Sequence, residues 1–406
     1  MSTLTYALVT LAYWAFMLTD GALRMIVLLH FHKLGYSPVK LAFLFLLYEC
    51  AGIFTNLIGG WIGSRYGLRK TLYAGLALQI IALLALTCIG ASWGEYLTVA
   101  AIMGIQALAG VAKDLTKMSS KSSVKLIIPS GNEGKIFKWV AALTGSKNAL
   151  KGIGFFLGSL LLSTLGFDNA LYSLAALLFI VLLICLCIVK GTFGKSKVKT
   201  KLTQLFSKSP AINKLSFARA FLFASRDVWF VVGLPIFLHD TLGWEFWKVG
   251  SFMASWVIGY GIIQVFAPRI TGIQKAKNSD ATLTKSVVAA KRWIFVLTLF
   301  SALMALAVSL NYQIHITLLG GLFIFGFIFA VNSSLHSYLI LAYSNKNDVS
   351  LDVGFYYMAN ACGRLLGTLL SGSVYLIAGL PACLWTSAAL ALAAAIISIK
   401  LPTKSD

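Results

Sequence analysis

Charge is what this 406-residue chain lacks: Asp, Glu, Lys and Arg make up only 12% of it, where a soluble domain carries about 25%. Acidic residues are scarcest, 13 against 34 Lys and Arg. With 59% hydrophobic residues and a mean hydropathy of +0.84, no soluble fold class fits. Cysteine is sparse. Cys50, Cys88, Cys185, Cys187, Cys362 and Cys383 all fall inside apolar stretches and read as small core hydrophobes. Cys185 and Cys187, two apart, face different sides of a helix and cannot clamp a metal. No Walker motif, nucleotide fingerprint or nucleophile elbow occurs, so nothing in the sequence points to ATP hydrolysis or acyl transfer. The expectation is no enzyme, no catalytic residue, no cofactor and no metal site. The first apolar run has no small-residue cleavage site after it and reads as a retained span.

What is present is apolar runs of helix length, near 6–29, 39–63, 71–90, 95–112, 139–163, 169–189, 215–238, 246–268, 293–310, 315–341, 352–376 and 380–399. About 20 apolar residues span a bilayer as helix, so the chain reads as an all-α integral membrane protein with twelve transmembrane helices. An even count puts both termini on one side, and the basic residues choose it. The connections after spans 2, 4, 6, 8 and 10, with the tail, hold 25 Lys and Arg, and the opposite ones only Lys33, Lys40 and Lys248. Both termini are therefore expected in the cytoplasm. The net charge of +21 is mostly a topology signal, and nucleic acid is not needed to explain it.

A polar stretch over 190–214, with seven lysines, divides the spans six and six. The expected organisation is an N-terminal six-helix bundle over 1–190, a cytoplasmic linker over 191–214 touching anionic headgroups, and a C-terminal six-helix bundle over 215–406. The halves look duplicated. Leu34, Gly35, Tyr36 and Lys40 are echoed by Leu242, Gly243, Trp244 and Lys248, and Lys151, Gly154 and Gly158 by Arg364, Gly367 and Ser371. These matches favour a parallel 6+6 pseudo-repeat, which generates a central cavity open to alternate sides. The pairs Gly154/Gly158 and Gly363/Gly367 read as close helix packing.

Six cations remain within spans: Arg24, Lys147, Lys151, Arg219, Arg226 and Arg364. Each would cost about 2.5–3.5 kcal/mol at mid-span if it faced lipid, so they are expected to face protein or water. Acids at similar depth are Asp20, Glu49 and Asp227. They are candidates for ion pairing or proton coupling. Asp20 and Arg24, at i and i+4, can pair within the first span, whereas Asp227 points about 100° from Arg226. The remaining surplus of cations calls for an anion, which Arg binds bidentately and Lys as a point charge. Asn148 and Asn360, with Gln106, Asn332, Ser333 and His336, are weaker candidates for substrate oxygens or for interhelical hydrogen bonds. Lys113, Lys117, Lys121 and Lys125 recur every four residues at the end of the fourth span. They read as a solvated face or as a funnel for anions.

Gly60, Arg65, Gly67, Arg69 and Lys70, after the second span, resemble the cytoplasmic loop motif of the major facilitator superfamily, with Ser64 where that motif usually carries an acid. The resemblance implies the major facilitator fold. A more specific likeness lies in the stretches 11–24 (LAYWAFMLTDGALR), 112–122 (AKDLTKMSSKS), 143–152 (LTGSKNALKG), 224–232 (ASRDVWFVV) and 357–367 (YMANACGRLLG). These resemble the organoarsenical efflux permeases of bacterial arsenic-resistance operons, the ArsJ group. The resemblance implies export of 1-arseno-3-phosphoglycerate across a bacterial inner membrane. It also implies a functional link to the glyceraldehyde-3-phosphate dehydrogenase that makes this compound.

The expectation is thus a monomeric, multi-pass exporter of an organic arsenate–phosphate anion, conferring arsenate resistance by alternating access through a basic cavity. Its substrate-binding residues would be Arg24, Lys147, Asn148, Lys151, Arg219, Arg226, Asn360 and Arg364. Its partners would be the small anion and the bilayer. The rival readings are a phosphate-ester/phosphate exchanger, a proton-coupled drug exporter and a transport-inactive scaffold or sensor. Arsenite export by thiolates fits poorly, because no cysteine pair converges within one helix.

Overall fold

The computed structural model describes residues 3–66, 68–90, 93–127, 133–189, 209–272, 279–344 and 349–403, without the side chains of 59–66, 121–127, 133–144, 279–282 and 349–351 and of Thr3, Tyr6, Met118 and Leu341. The described residues form helices α1 (Thr3–Lys33), α2 (Pro38–Leu44), α3 (Leu46–Tyr66), α4 (Leu68–Thr87), α5 (Glu95–Ile127), α6 (Glu133–Leu165), α7 (Phe167–Ile188), α8 (Pro210–Phe230), α9 (Gly233–Ile236), α10 (Phe246–Ile270), α11 (Ser279–Ser309), α12 (Ile314–Tyr343) and α13 (Val349–Ile399). In a bilayer the helix satisfies every backbone polar group within one segment, and sequences this apolar have no other route across except a closed barrel.

Eleven helical segments among the described residues are long and apolar enough to cross a membrane. The last runs from Asp352 to Ile399, more than twice the length one crossing needs. It is broken at Ala378 and Gly379, where the backbone leaves helical values. Gly379 takes φ +69°, a conformation that costs glycine nothing, and Pro381 follows. The two arms account for the eleventh and twelfth runs expected from the sequence. The six cysteines are all free, with Cys185 and Cys383 buried but Cys88, Cys187 and Cys362 exposed. The expectation of core positions therefore holds for only part of the set.

The helices group into two compact units. The first comprises Met1–Tyr36, Phe43–Lys201 and Gly243–Ile258. Within it α1 packs mainly on α6, and α5 packs on α3 and α4. A Cβ at Gly154 would run into the Leu18 carbonyl, and one at Gly158 into the Ala22 backbone, so small residues on α6 let α1 approach to backbone contact. Between α4 and α5 the hydroxyls of Thr71 and Ser119 meet at 2.5 Å.

The second unit comprises Ser37–Ala42, Leu202–Leu242 and Gly259–Asp406. Its principal pairing is α8 with α13. It repeats the device seen on α6, with Gly363 against the Ala220 backbone and Gly367 against Ala224 and Asp227. The membrane segment Pro210–Thr241 is interrupted after Phe230. Pro235 has no N–H to bond to Val231 and its ring crowds that carbonyl. Beyond the break, α9 runs into a π-helical turn over Phe237–Thr241. The Ser371 hydroxyl accepts hydrogen bonds from the Val232 and Gly233 N–H groups at 3.1 Å each, which satisfies donors that hydrocarbon would leave unpaired.

Two buried charge clusters and their family

In the first unit the charges meet across helices rather than along them. Asp20 does not pair with Arg24 one turn on. Its carboxylate accepts from the Lys151 ammonium of α6 at 3.0 Å and from the Tyr48 hydroxyl of α3 at 2.5 Å. Arg24 instead donates to Glu49 at 3.0 Å and lies over the Phe45 ring at 5.0 Å. Both acids are buried, Asp20 at 3% exposure and Glu49 at 0%. The reason is geometric. Paired along α1, two charges would leave Glu49 and Lys151 to be desolvated alone, whereas cross-helix pairing compensates all four.

Lys113 belongs to the same cluster. It is 7% exposed, and its ammonium sits 4.0 Å from the centre of the Tyr48 ring, whose hydroxyl donates to Asp20. Next to it on α5, Asp114 accepts from Thr55 at 2.7 Å, from Asn56 at 3.2 Å and from Lys117 at 3.3 Å. Lys117 also donates to Asn56 at 2.6 Å. The expected solvated or funnel-like lysine face is therefore corrected at Lys113 and Lys117: α5 continues to Ile127 and turns both inward. The side chains of Lys121 and Lys125 lie outside the described residues. Sequence reasoning missed Tyr48, Asn56 and Asp114, and placed Lys113 on a polar stripe rather than in this cluster. The signal was there in Asp114, an acid set directly between Lys113 and Lys117 on the helical continuation of the fourth span.

In the second unit Asp227 is shared. Arg226 bonds it through Nε at 2.6 Å, despite the expected divergence of adjacent residues, because the long guanidinium arm folds back along α8. Arg364 of α13 faces the other carboxylate oxygen at 3.5 Å. Arg219, two turns before Arg226, donates to Asn360 Oδ1 and to the Ser333 carbonyl at 2.9 Å each. Arg219 and Arg226 both lie over the Phe223 ring, at 4.0 and 4.8 Å from its centre. Asn360 thus serves to hold Arg219. Ser333 further contacts Tyr260 at 3.0 Å and Gln264 at 3.1 Å. Lys147 and Asn148 lie half-buried on α6, one turn before Lys151. Among the described residues no group of three or more His, Cys, Asp or Glu is placed to hold a metal.

Residues 9–279, two thirds of the chain, match the family described as Major Facilitator Superfamily. The chain belongs to the major facilitator superfamily. It is a multi-pass membrane transporter of the secondary, alternating-access kind, and not an enzyme. No curated protein matches it. Among solved structures it is similar to a bacterial homologue of the iron transporter ferroportin. To the inward-facing state of that protein the TM-score is 0.70 at 14% identity, covering 99% of both chains. To the outward-facing state the TM-score is again 0.70 at 14% identity, covering 98% of this chain and 100% of that one. At such identity the likeness establishes the fold alone.

Within this major facilitator chain the loop motif spans the end of α3 and the start of α4. Gly60 and Arg65 lie in α3 with their side chains outside the described residues, and Gly67 lies outside them altogether. Arg69 is partly buried and Lys70 exposed at the start of α4.

Proposed function

We propose that this transporter exports a small, multiply charged organic anion with phosphate- and arsenate-type groups, namely 1-arseno-3-phosphoglycerate, from the cytoplasm. The observation that carries the reading is the pair of guanidiniums in the second unit, Arg226 and Arg364, that share the single carboxylate of Asp227, with Arg219 beside Arg226 over the Phe223 ring. Guanidiniums match phosphate-type oxygens bidentately. An anion arriving at Arg226 and Arg364 takes over the role that Asp227 plays in its absence, so the arginines are never desolvated without a counter-charge. The stretches that resemble the organoarsenical permeases supply the particular substrate, and they contain Asp20, Arg24, Lys113, Lys147, Lys151, Arg226, Asp227, Asn360 and Arg364. Asp20 and Glu49 pair with cations and serve as fixed counter-charges.

The excess of Lys and Arg in alternate connections puts both termini in the cytoplasm, and the compartment is a bacterial inner membrane. Iron cargo, named for the solved relatives, does not carry over, because Asp20, Glu49, Asp114 and Asp227 are each engaged by Lys or Arg. The test is competition. The arsenylated phosphoglycerate, made in situ, is transported by purified protein in liposomes, and excess 3-phosphoglycerate inhibits it while arsenite does not. Equal inhibition by inorganic phosphate and counter-movement of phosphate would instead establish the phosphate-ester exchanger.

A further inference from the structure

Around Arg219 lie polar atoms that the protein itself leaves unanswered. On α12, Asn332 is fully buried. Its amide nitrogen donates to the Ile328 carbonyl at 3.3 Å, and its Oδ1 has no partner. One turn on, His336 is also fully buried, and neither ring nitrogen has a hydrogen-bond partner. On α8, three residues before Arg219, the buried Ser216 hydroxyl is likewise unpartnered. Leaving a buried polar group unsatisfied costs about 1–3 kcal/mol, so a cluster of them marks a place where something else supplies the bonds.

The donor–acceptor pattern says what kind of group that is. Asn332 Oδ1 only accepts, and a neutral imidazole offers one donor and one acceptor. An oxyanion presents acceptors alone and would be repelled by Asn332 Oδ1. A hydroxyl both donates and accepts, and it can answer Asn332 Oδ1 and the His336 N–H together. The ring stands three residues along α12 from Ser333, whose carbonyl accepts from Arg219 at 2.9 Å. Arg219 is itself fixed by Asn360 and Ser333. On the other sides, Tyr356 of α13 lies under Arg219, Tyr260 of α10 bonds Ser333, and α11 contributes apolar Leu283, Val287 and Ala290 to the core beside α12.

We propose that Asn332 and His336 form a neutral hydroxyl-recognition subsite beside Arg219, so that the cargo is an organic anion bearing a hydroxyl next to an acid group. This rests on the anion-export reading and assigns residues to the hydroxyl of its organic cargo, a pair from which inorganic phosphate and arsenate would gain nothing. Sites built to hydrogen-bond a hydroxyl discriminate strongly against analogues that lack it.

The experiment measures binding of 3-phosphoglycerate and of its 2-deoxy analogue to the full chain in lipid nanodiscs. The wild-type protein should bind the hydroxylated compound at least about tenfold more tightly. His336→Phe and Asn332→Val should remove that preference and leave the affinity for the deoxy analogue within about twofold. His336→Gln, which keeps a donor and an acceptor, should retain it. Equal binding of the two compounds by wild-type protein, or an unchanged preference in His336→Phe, overturns the subsite. If neither compound binds wild-type protein, the anion reading itself falls.

Discussion

The Lys151 ammonium meets the Asp20 carboxylate at 3.0 Å and so ties α6 to α1. The relationship recurs in the second unit, where Arg364 of α13 faces Asp227 of α8 at 3.5 Å. Each pair sits where glycines bring the two helices to backbone contact: Gly154 and Gly158 in the first unit, Gly363 and Gly367 in the second. Gly35 and Gly243, matched in the sequence echo, both take left-handed φ, +87° and +66°. The duplication therefore extends from turn conformation to charge pairing.

Neutralising a cation should weaken substrate binding. Lys151→Gln, Arg226→Gln and Arg364→Gln should each lower affinity for the arsenylated phosphoglycerate about ten- to a hundredfold, the loss of one charge-assisted bond of about 1.5–3 kcal/mol. Transport titrations at matched membrane abundance check this. Unchanged affinity in all three would contradict the assignment.

The Asp20–Lys151 bridge also has a structural share that can be separated out. Lys151→Gln alone leaves a buried carboxylate with less compensation, and breaking such a pair costs about 3–5 kcal/mol. Purified Lys151→Gln should melt well below wild type, and Asp20→Asn added to it should recover most of the loss. Transport should stay impaired in the double variant. Recovery of full transport would show that Lys151 acts only as a counter-ion.

The spans were legible because hydropathy over about 20 residues is a strong signal, and the break at Ala378 and Gly379 falls between the last two expected runs. The six intramembrane cations were legible for the same reason, as interruptions of apolar runs. Their partners were not. Lys151 finds Asp20 across 131 positions and Arg219 finds Asn360 across 141, distances at which periodicity says nothing. Local spacing even misled: Asp20 and Arg24 satisfy the i,i+4 rule, yet each is taken by another helix. Four regularly spaced lysines resemble a solvated stripe or an anion funnel, and only packing against Tyr48 and bonding to Asn56 shows Lys113 buried and Lys117 turned inward.

Close helix approach makes an independent prediction. Gly154→Val should abolish accumulation of folded protein, since a Cβ there meets the Leu18 carbonyl and α1 cannot retreat without breaking the Asp20–Lys151 bridge. Gly104→Ala and Gly320→Ala, where nothing lies within 4 Å, should be neutral or slightly stabilising, because alanine favours the helix by about 1 kcal/mol. Detergent-soluble monodisperse yield reads both.

Export should follow the membrane potential. Moving one charge through 100 mV is worth about 2.3 kcal/mol, so a trianion leaving a negative interior gains about 7 kcal/mol, an outward bias near 10⁵. Proteoliposomes under an imposed valinomycin potential, without a pH gradient, should show flux that tracks the size and sign of that potential. Indifference to it would indicate electroneutral exchange.

The most direct measurement is arsenic uptake by everted membrane vesicles carrying this chain. The substrate is generated outside them from arsenate, glyceraldehyde 3-phosphate, NAD and the dehydrogenase. The account predicts saturable accumulation above empty vesicles, suppressed by 3-phosphoglycerate, indifferent to arsenite, and lost when Arg364 is replaced by Gln. Accumulation no greater than in empty vesicles, with the protein present and folded, would contradict it.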